Sequence, residues 1–156
     1  MIKKFCKLIP RKSSRLIFDL DHTLWDTTVD YNRYMGLAHI ERKVHSETGR
    51  ILQEFQDQGY SLNIASQSLQ KDKCNEFLKF LFPDIIFDKI IINPQSGHKT
   101  THIADIHAPN TVKPFVLFDD NCDILNMQKR LHPESVFVHS FPQLTLDTLD
   151  KFLKER

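Results

Sequence analysis

Leu16-Ile17-Phe18-Asp19-Leu20-Asp21-His22-Thr23-Leu24-Trp25 is the stretch that decides how the chain is read. A short apolar run that ends in two carboxylates one residue apart predicts a buried strand carrying charge at its C-terminal tip, where open α/β sheets bind ligands. Two acids held together in a low-dielectric cleft raise each other's pKa unless a cation or hydrogen-bond donors offset them. The stretch therefore predicts a cation-assisted site and asks the rest of the chain for the parts that complete it.

The 156 residues suffice for one domain with a real core, and 40% hydrophobic with 26% charged residues is the balance of a globular protein. A net charge of +1 gives no reason to expect nucleic acid or an anionic membrane as partner. Cys6, Cys74 and Cys122 form no CxxC pair and leave an odd thiol, which predicts a reducing, cytoplasmic setting and argues against zinc. The segment Met1 to Lys12 is basic, yet Lys7 and Pro10 interrupt its apolar residues, so no signal-peptide core is read there; no later run reaches membrane-spanning length. Residues 1–14 are expected to be a solvated or loosely packed lead-in, and 15–156 a single domain with a small excursion at about 26–45.

Working outward, Ser46 is a candidate cap for a helix running to about Gln58, with Ile51, Leu52 and Phe55 on one face and Gly59 as its stop. Tyr60 to Ala65 alternates like a strand and ends at Ser66-Gln67-Ser68. A helix over Leu69 to Phe82, a strand over Asp84 to Ile92, a loop at Asn93 to Gly97 and a short helix from Lys99 to about His107 follow. Phe115 to Phe118 is a further apolar run and ends in Asp119-Asp120; a helix over Asn121 to Leu131, a strand over Ser135 to His139 and a helix over Leu144 to Lys154 close the chain. Short apolar strands alternating with helices predict an α/β fold: a parallel sheet of about five strands with helices on both faces.

Such a sheet gathers every strand tip on one edge. That edge would carry Asp19 and Asp21, Ser66, Lys99, and Asp119 with Asp120. Together these meet the needs of phosphoryl transfer: a nucleophile, a proton carrier, a divalent cation and fixed positive charge on the phosphoryl oxygens. Mg²⁺ suits an all-oxygen site. Asp19 is expected to attack phosphorus, Asp21 to act as general acid and base, Ser66 and Lys99 to bind the phosphoryl group, and Asp120, with Asp119 close by, to complete the metal site. Each has a plainer reading beside it: Ser66 or Asp119 as a helix cap, Lys99 as a surface lysine. For Trp25 and Tyr31, a wall of the cleft stands against ordinary packing. His98, His102 and His107 lack the spacing of a ligand set and are expected at the surface or in support, and His22 is expected to pack or orient.

Taken in order, Phe18-Asp19-Leu20-Asp21-His22-Thr23-Leu24-Trp25, Ile64-Ala65-Ser66, Lys99 and Phe118-Asp119-Asp120 resemble the four motifs of the haloacid dehalogenase superfamily. Within it the chain is most similar to the small, capless magnesium-dependent phosphatases, through Thr23-Leu24-Trp25, Gly97-His98-Lys99-Thr100-Thr101-His102 and Phe118-Asp119-Asp120-Asn121. The resemblance implies a three-layer Rossmann-like core, Mg²⁺ held by Asp19, the Asp21 backbone carbonyl and Asp120, and phosphomonoester hydrolysis through an aspartyl-phosphate. It also implies a substrate contact at Gln67, where that branch tends to carry arginine; Asn121 likewise replaces a frequent acid. The intervals between motifs leave no room for a folded cap, so an open cleft is expected, admitting a phosphorylated protein side chain or a small sugar phosphate. The alternative is a catalytically weak scaffold of the same fold that binds a partner or phosphoprotein. A monomer is expected, since no heptad pattern stands out.

Overall fold

The strand runs are rich in Ile, Phe and Val, which suit a pleated surface buried on both faces, and a helix separates each run from the next. The computed structural model describes residues 1–9, 14–31, 34–95 and 97–156. In it β1 (Arg15–Phe18), β2 (Ser61–Ser66), β3 (Phe87–Ile92), β4 (Phe115–Asp119) and β5 (Val136–His139) form one sheet in the order β3-β2-β1-β4-β5, with every pair parallel. The helices are α1 (Ile2–Leu8), α2 (Leu37–Glu41), α3 (Ser46–Asp57), α4 (Lys71–Leu81), α5 (Thr100–His107), α6 (Cys122–Leu131) and α7 (Leu146–Lys154). The three-layer α/β arrangement is the one expected.

Strand alternation divides the core in two. Leu16 and Phe18 point to one face, where they meet Phe5 of α1, Phe55 of α3, Phe77 of α4 and Leu149 of α7. Ile17 and Leu117 point to the other, against Ile103 and Ile106 of α5 and Ile124 of α6. Phe18 and Phe118, partners across β1 and β4, stack at 4.6 Å between ring centres. This register brings the tips of β1, β2 and β4 level, which is what positions the site.

Several boundaries shift for local reasons. His45, not Ser46, caps α3, its Nδ1 accepting from the Glu47 N–H at 3.1 Å. The third strand begins at Phe87 rather than Asp84, because the Gln56 side chain binds the Asp84 carbonyl and the Ile86 N–H and holds them in a turn. The excursion after β1 is short and packed, with Val29, Met35 and Ile40 buried. Among the described residues no helix is long and apolar enough to cross a membrane.

The N-terminal segment overturns its expectation. Residues 2–8 form a helix, not a solvated lead-in, and Phe5 is wholly buried against Phe55, Phe118 and Phe152 with ring centres 5.5 to 5.8 Å apart. The basic residues alternate with Ile2, Phe5 and Ile9, which form the buried stripe of an amphipathic helix. Phe5→Ala is therefore expected to destabilise the protein by about 3 kcal/mol or more, as for other buried aromatics. Urea unfolding measures this, and a loss under about 1 kcal/mol would show that α1 adds little to the core.

Candidate active site

The turn after β1 explains the spacing of the two acids. Leu20, Leu24 and Trp25 are fully buried and pin the chain, while the His22 N–H donates to the Trp25 carbonyl at 2.7 Å and the Leu24 N–H to the Leu20 carbonyl at 2.9 Å. His22 takes the left-handed conformation (φ 57°) that closes this turn, so Asp21 folds back toward the strand tip instead of continuing away from it. Thr23 is held from β5's far end by a 2.7 Å hydrogen bond between its hydroxyl and that of Ser140.

Lys99 occupies the centre. Its side chain is 1% exposed, and Nζ donates to Asp19 Oδ1 at 2.8 Å and Asp119 Oδ2 at 2.5 Å. Gly97, His98 and Lys99 all have positive φ (88°, 49° and 73°), a strained path for the two non-glycine residues that turns the lysine inward. Two contacts hold that path in place: the Thr100 hydroxyl donates to the Gly97 carbonyl at 2.7 Å, and the buried Gln128 of α6 donates Nε2 to the His98 carbonyl at 2.8 Å and to Thr100 Oγ1 at 3.0 Å.

Carboxylate oxygens of Asp19, Asp119 and Asp120 lie within 4.8 Å of one another. Asp119 is not a helix cap; its second oxygen accepts from the Asn121 N–H at 2.9 Å, and Asn121 Oδ1 caps α6 by accepting from the Asp123 and Ile124 N–H groups. The His139 ring bonds the Asp120 carbonyl at 3.0 Å. Asp21 Oδ1 accepts from Trp25 Nε1 at 2.8 Å and the Val29 N–H at 3.2 Å, so Trp25 is an anchor for Asp21 rather than a cleft wall, and Tyr31 stands 90% exposed. Ser66, also buried, lines the same cleft and accepts from the Ser68 N–H at 3.2 Å, a bond that does not use its hydroxyl hydrogen. Gln67 gives Nε2 to the Gln95 carbonyl at 2.9 Å. His102 and His107 are buried, not at the surface, and bond the carbonyls of Asn93 and Ile103.

The acids and Lys99 line one cleft of about 200 Å³ with Ser66, Gln67 and Asp30. A larger hollow of about 270 Å³ between α6, β5 and α7 contains no such convergence of acids. Asp30 carried no signal in the sequence, yet it organises the β2 tip, accepting from the Ser68 hydroxyl at 2.6 Å and the Leu69 N–H at 3.1 Å. Gln128 was legible in principle, as an amide four residues after Ile124 on the inward face of a helix.

Burial pushes the Asp19 carboxyl up to about 6, with Lys99 pulling it down and Asp120 pushing it further up. Asp119 rises to about 6 through burial and the nearby Asp19 charge, against the pull of Lys99. Asp120 is raised by burial too. For Lys99 burial works against the charge, but Asp119 and Asp19 outweigh it and the ammonium is held above its usual range. Asp21 is lifted to about 6 by burial, with the Trp25 and Val29 donors opposing. Three carboxylates facing one ammonium leave an excess of negative charge that a hard divalent cation fits, since every donor is oxygen.

A five-stranded parallel sheet with Asp-x-Asp, Ser, Lys and Asp-Asp at its tips defines a fold and site of the haloacid dehalogenase type. A family model described as Acid Phosphatase matches residues 13–156, and the chain belongs to that family of phosphatases. Among curated proteins no sequence matches it. The fold is similar to that of DsGPDH of Dunaliella salina (12% identity, TM-score 0.61, covering 90% of this chain and 25% of that one). It is similar also to the N-terminal part of a Bacteroides fragilis protein containing a phosphatase domain complexed with Mg (17%, 0.59, 98% and 42%) and to a chain of the Pnkp1/Rnl/Hen1 complex (14%, 0.54, 83% and 46%). The chain thus spans less than half the length of each of these structures.

The raised carboxyl pKa values have a stability consequence with a definite sign. A folded-state pKa of about 6 against an ordinary 3.8 means that the folded site binds more protons than the unfolded chain between those values. These groups therefore favour the fold at low pH and lose that effect as pH rises through about 6. In EDTA, Asp120→Asn should melt higher than the wild type at pH 7.5, with the gap closing by pH 5, and Mg²⁺ should raise the wild-type Tm more at pH 7.5 than at pH 5. Scanning calorimetry of both proteins at both pH values checks this; a Mg²⁺ effect independent of pH would contradict the assignment of these acids as its ligands.

Proposed function

We propose that the chain is a Mg²⁺-dependent phosphomonoester hydrolase that works through an aspartyl-phosphate on Asp19. The observation that carries this reading is the convergence of Asp19, Asp119 and Asp120 on the buried Lys99 ammonium, with Asp21 held separately beside them. Asp19, Asp120 and the Asp21 backbone carbonyl, with Asp119 adjoining, would hold the ion, which when bound neutralises charge on the phosphoryl oxygens and lets the dianionic substrate approach a carboxylate.

Lys99 occupies Oδ1 of Asp19 and keeps the carboxylate ionised and oriented, leaving Oδ2 to attack phosphorus. As that bond forms, the P–O bond to the leaving group breaks and Asp21 transfers its proton to the departing oxygen. With Oδ1 of Asp21 fixed by Trp25 and Val29, the proton resides on Oδ2. Water enters after the alcohol leaves; Asp21 now takes a proton from it, the water oxygen bonds to phosphorus, and the Asp19–phosphorus bond breaks. Ser66 donates its hydroxyl to a phosphoryl oxygen, and Lys99 offsets charge on the group throughout. Phosphate is released and Asp21 is protonated again. All three cysteines are free, which supports a reducing compartment as the setting.

Asp19→Asn is expected to lower turnover of p-nitrophenyl phosphate by about a thousandfold or more while leaving the fold intact. Asp21→Asn should cost about 10²- to 10⁴-fold with an alkyl phosphate and less with the aryl ester, whose leaving group needs little protonation. The wild-type rate should fall above about pH 6 as Asp21 loses its proton, a limb absent from Asp21→Asn. Steady-state kinetics with Mg²⁺ and with EDTA test all of these. Unimpaired turnover by Asp19→Asn would remove the nucleophile assignment.

A further inference from the structure

The charge of the cleft is uneven, and the unevenness falls on the part that faces the leaving group. Five carboxylates, those of Asp19, Asp21, Asp30, Asp119 and Asp120, line it against a single lysine, and that lysine is already committed to Asp19 and Asp119. A divalent ion among the trio still leaves negative charge in excess. Asp30 and Asp21 line the same cleft, so a further carboxylate stands near the group that meets the departing oxygen. Gln67 adds to this: a carbonyl can only accept, so the amide nitrogen is the end turned to Gln95 and the amide oxygen is left for the cleft. Around the leaving group the side chains therefore offer hydrogen-bond acceptors and negative charge, and among the described residues lining the cleft no uncommitted cation faces a second anionic group.

We propose, resting on the phosphatase reading above, that this site selects phosphomonoesters whose leaving group carries hydrogen-bond donors, hydroxyl or ammonium, near the phosphate, and rejects those carrying a second anion there. The donors would reach the Gln67 oxygen and lie beside the Asp30 charge, whereas a carboxylate would sit against both with no uncommitted cation among the described residues that line the cleft. An acceptor left facing an anion is a stronger discriminator than any apolar contact in so open a cleft.

Kinetics of the full chain with Mg²⁺ on phosphoethanolamine, glycerol 2-phosphate and phosphoglycolate decide the matter, with p-nitrophenyl phosphate as the control for the phosphatase reading itself. The expected kcat/KM is about tenfold or more higher for the first two than for phosphoglycolate. Gln67→Arg should shrink that ratio by about fivefold, mainly through a lower KM for phosphoglycolate. Equal or better hydrolysis of phosphoglycolate by the wild type overturns the proposal, and this wild-type comparison stands alone if Gln67→Arg fails to fold. Absence of turnover on every ester, the aryl phosphate included, would remove the phosphatase reading instead. In that event thermal shifts with 2-aminoethylphosphonate and phosphonoacetate in Mg²⁺ decide the specificity: a larger shift with the aminoethyl compound upholds the preference, and equal, reversed or absent shifts overturn it.

Discussion

A buried ammonium must be paired, and in this protein the pairing of Lys99 with Asp19 and Asp119 fixes nearly everything else about the site. The three residues come from the tip of β1, the loop before α5 and the last position of β4, so the pairing can form only when those three parts of the chain are correctly placed. Removing one partner of such a buried pair leaves a charge without compensation, at a cost of about 3 to 5 kcal/mol. The left-handed path through Gly97, His98 and Lys99 is acceptable in that light. Its strain is of order 1 kcal/mol per residue, smaller than the penalty for a stranded charge, and Gln128 and Thr100 hold it in place.

The strand order makes the convergence possible. From β1 the chain moves outward to β2 and β3, then crosses back over the sheet to β4 on the other side of β1. Between β1 and β4 the connections therefore diverge, one helix going to each face, and a crevice opens at the carboxyl ends. Asp19 stands on one lip of that crevice and Asp119 with Asp120 on the other. Stacking of Phe18 on Phe118 directly beneath locks the two strands in register, so the packing of the core and the distance between the acids are set by the same contact.

Most of this could be read from the sequence because the strands are continuous apolar runs, a pattern that buried parallel strands share with few other structures. Asp19, Asp21, Ser66, Lys99, Asp119 and Asp120 fall together on the sequence pattern because each follows such a run or precedes a helix. What escaped lay outside that logic. In α1 the apolar stripe of Ile2, Phe5 and Ile9 is interleaved with lysines, whose charge hides the helical period. Asp30 sits in an excursion without periodicity, and its partners, Ser68 and Leu69, are almost forty residues away, a pairing that only the tertiary fold reveals. His45 caps α3 with a ring nitrogen next to a serine that looked the better candidate, and the choice depends on which residue takes the extended conformation at the helix entrance.

The acids of the cleft are chemically alike, and their surroundings give them different work. Asp30 is bound up by Ser68 and Leu69 and serves the backbone. Asp19, Asp119 and Asp120 share one locus, where each carboxylate disfavours ionisation of the next until positive charge is added. Asp21 stands outside that trio, one oxygen fixed by Trp25 and Val29, and owes its raised pKa chiefly to burial. Adding a cation to the trio would lower the pKa of its three members most, because they touch it, and that of Asp21 least. A difference that is nearly absent among the acids alone would then become large, separating carboxylates that stay ionised well below pH 6 from the one that still exchanges a proton near it, and that separation is what a nucleophile and a general acid working side by side require.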